Sequence, residues 1–143
     1  MKRALSCVGL CAGLMLAATS AWAHHAFSAE FDSNKPMTLS GKLTKLELTN
    51  PHGWLYVDVK GPDGTVVNWA VETGPTNALI RRGLRTDDFV AGSDVVVSGF
   101  QAKNGAAMLN GAEIKFADGR VLNLSPNGVR VGTADKDKVE KDK

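Results

Sequence analysis

The run Trp54-Leu55-Tyr56-Val57-Asp58-Val59-Lys60-Gly61-Pro62-Asp63-Gly64-Thr65-Val66-Val67-Asn68-Trp69-Ala70-Val71-Glu72 reads as two strands joined by a tight turn. From Trp54 to Lys60 the period is two, with Leu55, Val57 and Val59 on one face and Trp54, Tyr56 and Asp58 on the other. Gly61-Pro62-Asp63-Gly64 combines restricted and permissive backbone in a hairpin signal, and Thr65 to Glu72 is the returning strand. The two strands are expected to pair antiparallel.

Upstream, the same period begins at Thr38. Leu39, Gly41, Leu43 and Lys45 alternate with Ser40, Lys42 and Thr44, and then Leu46 and Leu48 take over the apolar role. This change of face near Lys45 predicts a bend or bulge in a long first strand. Asn50-Pro51-His52-Gly53 is a turn by composition. Downstream, Pro75 to Arg82 reads as a short helix, with Pro near its start, cations in its last turn, Gly83 as a left-handed cap and Leu84 folding back. Asp94 to Phe100 and Ala107 to Phe116 are further strands, and Asp118-Gly119 turns the chain into Arg120 to Leu124.

Three strands, a short helix, then two or three strands is the order of an OB-like barrel, in which the helix lies between strands three and four. The expected fold is therefore mainly β: a small OB-like β-barrel of five or six strands over residues 38–125, with Leu55, Val57, Val59, Val95 and Val97 in its core. An open sandwich of two small sheets is the competing architecture for the same order of elements.

The start of the chain is expected to carry the localisation signal. Lys2 and Arg3 precede an apolar run from Ala4 to Ala18, and Ala21 and Ala23 are the small residues of a cleavage site. Residues 1–23 are thus expected to be a signal peptide, leaving 120 of the 143 residues with His24 first, in the periplasm or secreted, and with no stable membrane anchor. Both cysteines, Cys7 and Cys11, leave with it, so the mature domain must hold its fold by core burial. Two of the 17 basic side chains also leave and none of the 15 acidic ones, so 15 balance 15. Zero net charge is a poor match for nucleic acid. Residues 24–37 are expected to be an arm carrying Phe27 and Phe31, and residues 126–143 a charged, disordered tail.

Several stretches of the mature chain resemble those of a family of small exported bacterial proteins named only as domain of unknown function 6152. They are His24-His25-Ala26-Phe27, Lys35-Pro36-Met37-Thr38-Leu39-Ser40-Gly41, Thr49-Asn50-Pro51-His52-Gly53-Trp54, Trp69 through Glu72, Pro75 through Gly83, and Ala91-Gly92-Ser93-Asp94-Val95. The resemblance implies export and a common architecture; the family name carries no activity.

All three histidines, His24, His25 and His52, survive the expected cleavage. A free amine at His24 and its ring Nδ1 can chelate one ion together, and a third imidazole nitrogen completes a T-shaped set suited to copper. This is the ligand arrangement, not the fold, of exported copper carriers and copper oxygenases. His52 is the better third ligand and His25 an accessory one, because adjacent residues strain a shared chelate. An arm of 14 residues at roughly 3.3 Å each extends about 45 Å, so reach does not forbid the contact. Against this stands the plainer reading that His24 and His25 are a polar chain start and His52 a turn residue.

Trp54, Tyr56 and Trp69 on paired strands could form a stacking platform, or could simply fill core and cleft. Glu72, Asn77, Arg81 and Arg82 could bind an anion at the helix, or the two arginines could complement the helix dipole. Asp87-Asp88 reads as a solvated loop pair. No serine stands in a nucleophile-elbow pattern and no thiol remains, so the chain is not expected to be an enzyme. Two functions follow as expectations: a non-catalytic exported binding domain, with copper as its candidate cofactor, or an OB-like module that binds an exported protein partner or small ligand without metal.

Overall fold

A computed structural model describes residues 27–125. The expected signal peptide, His24, His25 and the charged tail lie outside the described residues. Residues 27–30 are helical, and a separate compact unit begins at Phe31. Among the described residues no helix is long and apolar enough to cross a membrane.

From Phe31 the elements are β1 (Phe31–Glu47), β2 (Trp54–Lys60), β3 (Val66–Glu72), α1 (Thr76–Arg81), a 3-10 turn (Thr86–Asp88), β4 (Asp94–Ala102), β5 (Met108–Phe116) and β6 (Val121–Asn123). The sheet runs β3-β2-β1-β4-β5-β6, and a parallel pairing of β3 with β5 closes five of the strands into a barrel, with β6 added outside the ring. That pairing excludes the open sandwich. The helix lies between the third and fourth strands, as an OB-like order requires.

Closure rests on β1, which serves two neighbours. Its first part pairs with β4, from Phe31 opposite Ala102 to Lys42 opposite Asp94, and its second part pairs with β2, from Lys42 opposite Asp58 to Glu47 opposite Trp54. The register against β2 shifts between Leu43 and Lys45, where the sequence pattern changes face. At Gly41 the wall admits no side chain: a Cβ there would stand 2.2 Å from the Asp58 carbonyl oxygen.

The inward face carries Leu39, Leu43, Leu55, Val57, Val71, Val95, Val97, Leu109 and Ile114, each at most 5% exposed. Val59 is only partly buried and packs on the edge of this cluster. The Gly61–Gly64 turn is closed by Gly61 N–H to the Thr65 carbonyl at 2.8 Å, with Gly64 at φ +87°. At the helix end, Gly83 has φ +99° and the Leu84 N–H donates to the Leu79 carbonyl at 3.0 Å, which buries both leucines.

One boundary differs from the sequence expectation. Residues 31–37, read as part of an arm, are strand paired with β4. Asp32-Ser33-Asn34-Lys35-Pro36 is loop-like in composition, and the chain absorbs it as an irregularity between Phe31 and Pro36 because Phe31, 2% exposed, anchors the strand before it. β1 thus begins seven positions after His24 rather than fourteen.

Candidate functional site

The loop between β1 and β2 is fastened to the β3–α1 junction. Thr73 N–H donates to the Gly53 carbonyl at 2.8 Å, and Gly53 N–H reaches the Gly74 carbonyl at 3.4 Å. Thr49 Oγ1 donates to the His52 carbonyl at 2.7 Å, and Thr76 Oγ1 donates to the Thr49 carbonyl at 3.1 Å. The Asn50–Pro51 peptide bond is cis. Gly53 is buried with its Cα against the neighbouring strand end; a Cβ there would lie 2.8 Å from Thr73 Oγ1. A residue flanked by this many backbone anchors has little freedom, and that residue is His52.

His52 Nδ1 contacts Glu72 Oε1 in a short hydrogen bond. The other oxygen of the carboxylate, Oε2, accepts from Asn110 Nδ2 at 3.1 Å. Glu72 is 8% exposed, whereas the His52 side chain is 47% exposed. The imidazole is therefore held from its inner nitrogen, while Nε2 makes no hydrogen bond among the described residues. Three elements contribute: the β1–β2 loop brings His52, the end of β3 brings Glu72, and β5 brings Asn110, directly opposite Glu72 in the parallel register.

An imidazole fixed by a carboxylate at one nitrogen and open at the other is the arrangement in which histidines ligate metals. Among the described residues no group of three or more His, Cys, Asp or Glu side chains could hold an ion. His52 thus offers a single ligand, and the expected partners His24 and His25 lie outside the described residues.

A family model described as a family of unknown function, DUF6152, matches residues 12–111, which is 100 of the 143 residues. The chain belongs to the DUF6152 family. No curated protein matches it.

In this DUF6152 barrel the remaining sequence candidates do not converge. Trp54 and Tyr56 alternate with the buried Leu55 and Val57 and so lie on the outward face, whereas Trp69 stands opposite Val57 and packs against the core. The three rings do not form one platform, because pairing at that register puts Trp69 on the inner parity. Tyr56 Oη instead donates to Glu47 Oε2 at 3.0 Å, and the Lys45 ammonium lies 5.5 Å from the ring centre. Hydrogen bonding from Lys45, with a second from Tyr56, holds the Glu47 carboxyl below its ordinary range, and the bond to Glu47 raises the Tyr56 phenol.

Arg81 is exposed in the last turn of α1, away from any hydrogen bond to Glu72, and Asn77 is likewise exposed. Arg82 turns to the end of the barrel domain, where Nη1 donates to Asn123 Oδ1 at 3.3 Å and to the Ser125 carbonyl. The group expected to hold an anion is dispersed. Asp88 is more than a solvated loop acid: its Oδ1 accepts from Arg120 Nη2 at 2.8 Å and its Oδ2 from the Arg85 N–H at 3.1 Å. Arg120 also binds Asp118, so the charges beside the cleft of about 250 Å³ between Arg82, Asp88, Phe116 and Arg120 largely cancel.

Sequence reading found His52 and Glu72 separately and missed Asn110. The one local signal was a polar side chain between Leu109 and the tightly enclosed Gly111 in an apolar strand. Its partner is 38 residues away and is supplied only by the β3–β5 closure.

Proposed function

We propose that the chain is an exported, non-catalytic binding domain that holds copper through His52 Nε2 together with the free amine and Nδ1 of a processed His24, with His25 as accessory ligand. The observation that carries this reading is the carboxylate-held imidazole of His52. Glu72 takes Nδ1, so the nitrogen left for a ligand is Nε2, on a side chain that stays 47% exposed. A set of nitrogen donors with no thiol suits copper(II). The signal-like residues 1–23, which end in Ala21-Trp22-Ala23, support both export and the exposure of the His24 amine.

The test is copper(II) titration of protein whose first residue is His24, followed by electron paramagnetic resonance for nitrogen coupling. Affinity should rise through the neutral range as the amine, with an ordinary pKa of about 8, loses its proton. A version with one extra residue before His24 should bind far more weakly, and so should His52→Ala. Equal binding by all three proteins overturns the assignment. Because β1 begins only seven positions after His24, a mixture of the extended form and His52→Ala adds information: recovered binding in the mixture means that two copies share one site.

A second reading, docking of an exported protein partner without metal, is favoured by one observation. Only Ala70 to Glu72 of β3 pair with β5, so residues 66–69 keep one edge unpaired among the described residues, with Val66 and Val67 56% and 41% exposed. Indifference to copper together with a partner pairing along this edge would put this reading first.

A further inference from the structure

We infer that Asn110 is a positioning residue that sets the tautomer of His52 through Glu72. The inference deepens the copper reading, since it concerns the same imidazole, but it is measurable on metal-free protein.

An ionised carboxylate only accepts hydrogen bonds. The amide group of Asn110 that faces Glu72 Oε2 at 3.1 Å must therefore be its NH2 end, which fixes the amide orientation on chemical grounds. With Oε2 occupied, Oε1 is the oxygen turned toward the β1–β2 loop, and it meets His52 Nδ1. For that contact to be a hydrogen bond, Nδ1 must carry the proton. The neutral ring is then the Nδ1–H tautomer, whereas a free imidazole in water favours Nε2–H. The lone pair is left on Nε2, the nitrogen that a metal requires.

The reason that Asn110 and not another residue does this lies in the barrel. Glu72 stands opposite Trp54 on one side and opposite Asn110 on the other, so the carboxylate sits between the loop-bearing strand β2 and the closing strand β5. Gly111, next to Asn110, leaves no room for a Cβ, which would lie 2.8 Å from Val71 Cγ1 and 3.1 Å from the Glu72 carbonyl. That close approach brings β5 near enough for the short Asn side chain to reach the carboxylate. The tautomer of an exposed ring is in this way coupled to closure of the sheet.

The experiment is long-range proton–nitrogen correlation of the histidine rings in metal-free protein beginning at His24, at a pH where the rings are neutral. His52→Ala identifies the signal. In the unmodified protein the Nδ1–H form should predominate at His52. Glu72→Ala, which removes the acceptor itself, should shift the tautomer ratio toward Nε2–H by roughly three- to tenfold, the worth of one lost hydrogen bond. Asn110→Ala, which frees the carboxylate to turn away from the loop, should shift it in the same direction by a smaller factor, and Asn110→Gln, which keeps an amide, should restore part of that effect. A purely structural role would lower the unfolding midpoint of Asn110→Ala and leave the tautomer unchanged, and that result overturns the inference. If Asn110→Ala does not fold, the unmodified protein decides: a predominant Nε2–H form at His52 refutes the inference. Protein with the Nδ1–H ring that ignores copper would instead refute the metal reading and leave the role of Asn110 standing.

Discussion

Glu72 faces outward opposite Trp54 in the β2–β3 register, and yet it is only 8% exposed, because His52 covers one carboxylate oxygen and Asn110 the other. A charged group on the outer wall of a barrel normally stays in water. Here it is enclosed by the loop on one side and by the closing strand on the other, and each oxygen has a donor. No buried side-chain nitrogen or oxygen lacks a partner among the described residues.

Removal of that carboxylate should therefore cost more than a surface substitution does. Glu72→Ala leaves the partly buried amide of Asn110 without its acceptor and should destabilise the domain by about 1–3 kcal/mol. Glu72→Gln, which keeps the shape and one acceptor oxygen, should lose less. Urea unfolding followed by tryptophan fluorescence measures both, and equal midpoints for Glu72→Ala and the unmodified protein would show that the enclosure contributes nothing.

The barrel wall offers a sharper test at Gly41. A Cβ at this position would lie 2.2 Å from the Asp58 carbonyl oxygen and 3.0 Å from Val57 Cγ1. Because the first obstacle is backbone in a paired strand, it cannot move without opening the β1–β2 ladder. Gly41→Ala should cost about 1–3 kcal/mol or more, whereas Gly92→Ala, with open space around it but a φ of +86°, should cost only the strain of its backbone. Thermal melts of the two variants should rank in that order.

The cluster at Arg120 sets a dependence on pH. Hydrogen bonds from Arg120 hold the carboxyls of Asp88 and Asp118 below their ordinary range, with the guanidinium charge adding to the effect. A carboxyl with a lower pKa in the folded state contributes stability where it is ionised in both states, above about pH 4, and that contribution is lost as pH falls through the folded value. Arg120→Gln should accordingly lower the urea midpoint by more at pH 7 than at pH 2.5. The same difference at both values would mean that packing of Arg120 over the Phe116 ring, not its charge, carries the effect.

The sequence alone determined the strands, the hairpin, the bulge at Leu43–Lys45, the short helix with its Gly83 cap, and the core side of β2 and β4. Those features depend on neighbours one to four residues apart: period-two alternation, a turn tetrapeptide, a left-handed glycine. It marked the composition of 32–36 as loop, and there local chemistry gave way to the burial of Phe31 and the pairing with β4. It named His52 and Glu72 as single candidates and grouped Glu72 with Arg81. Tertiary structure alone decided which candidates meet. Pairing of β3 with β5 put Asn110 beside Glu72, folding of the β1–β2 loop onto Thr73 and Gly74 put His52 there too, and the register sent Trp69 inward and left Arg81 in solvent. Such encounters link residues 20 and 38 positions apart. They are fixed by how a bent sheet closes on itself, and no local pattern in the chain encodes that distance.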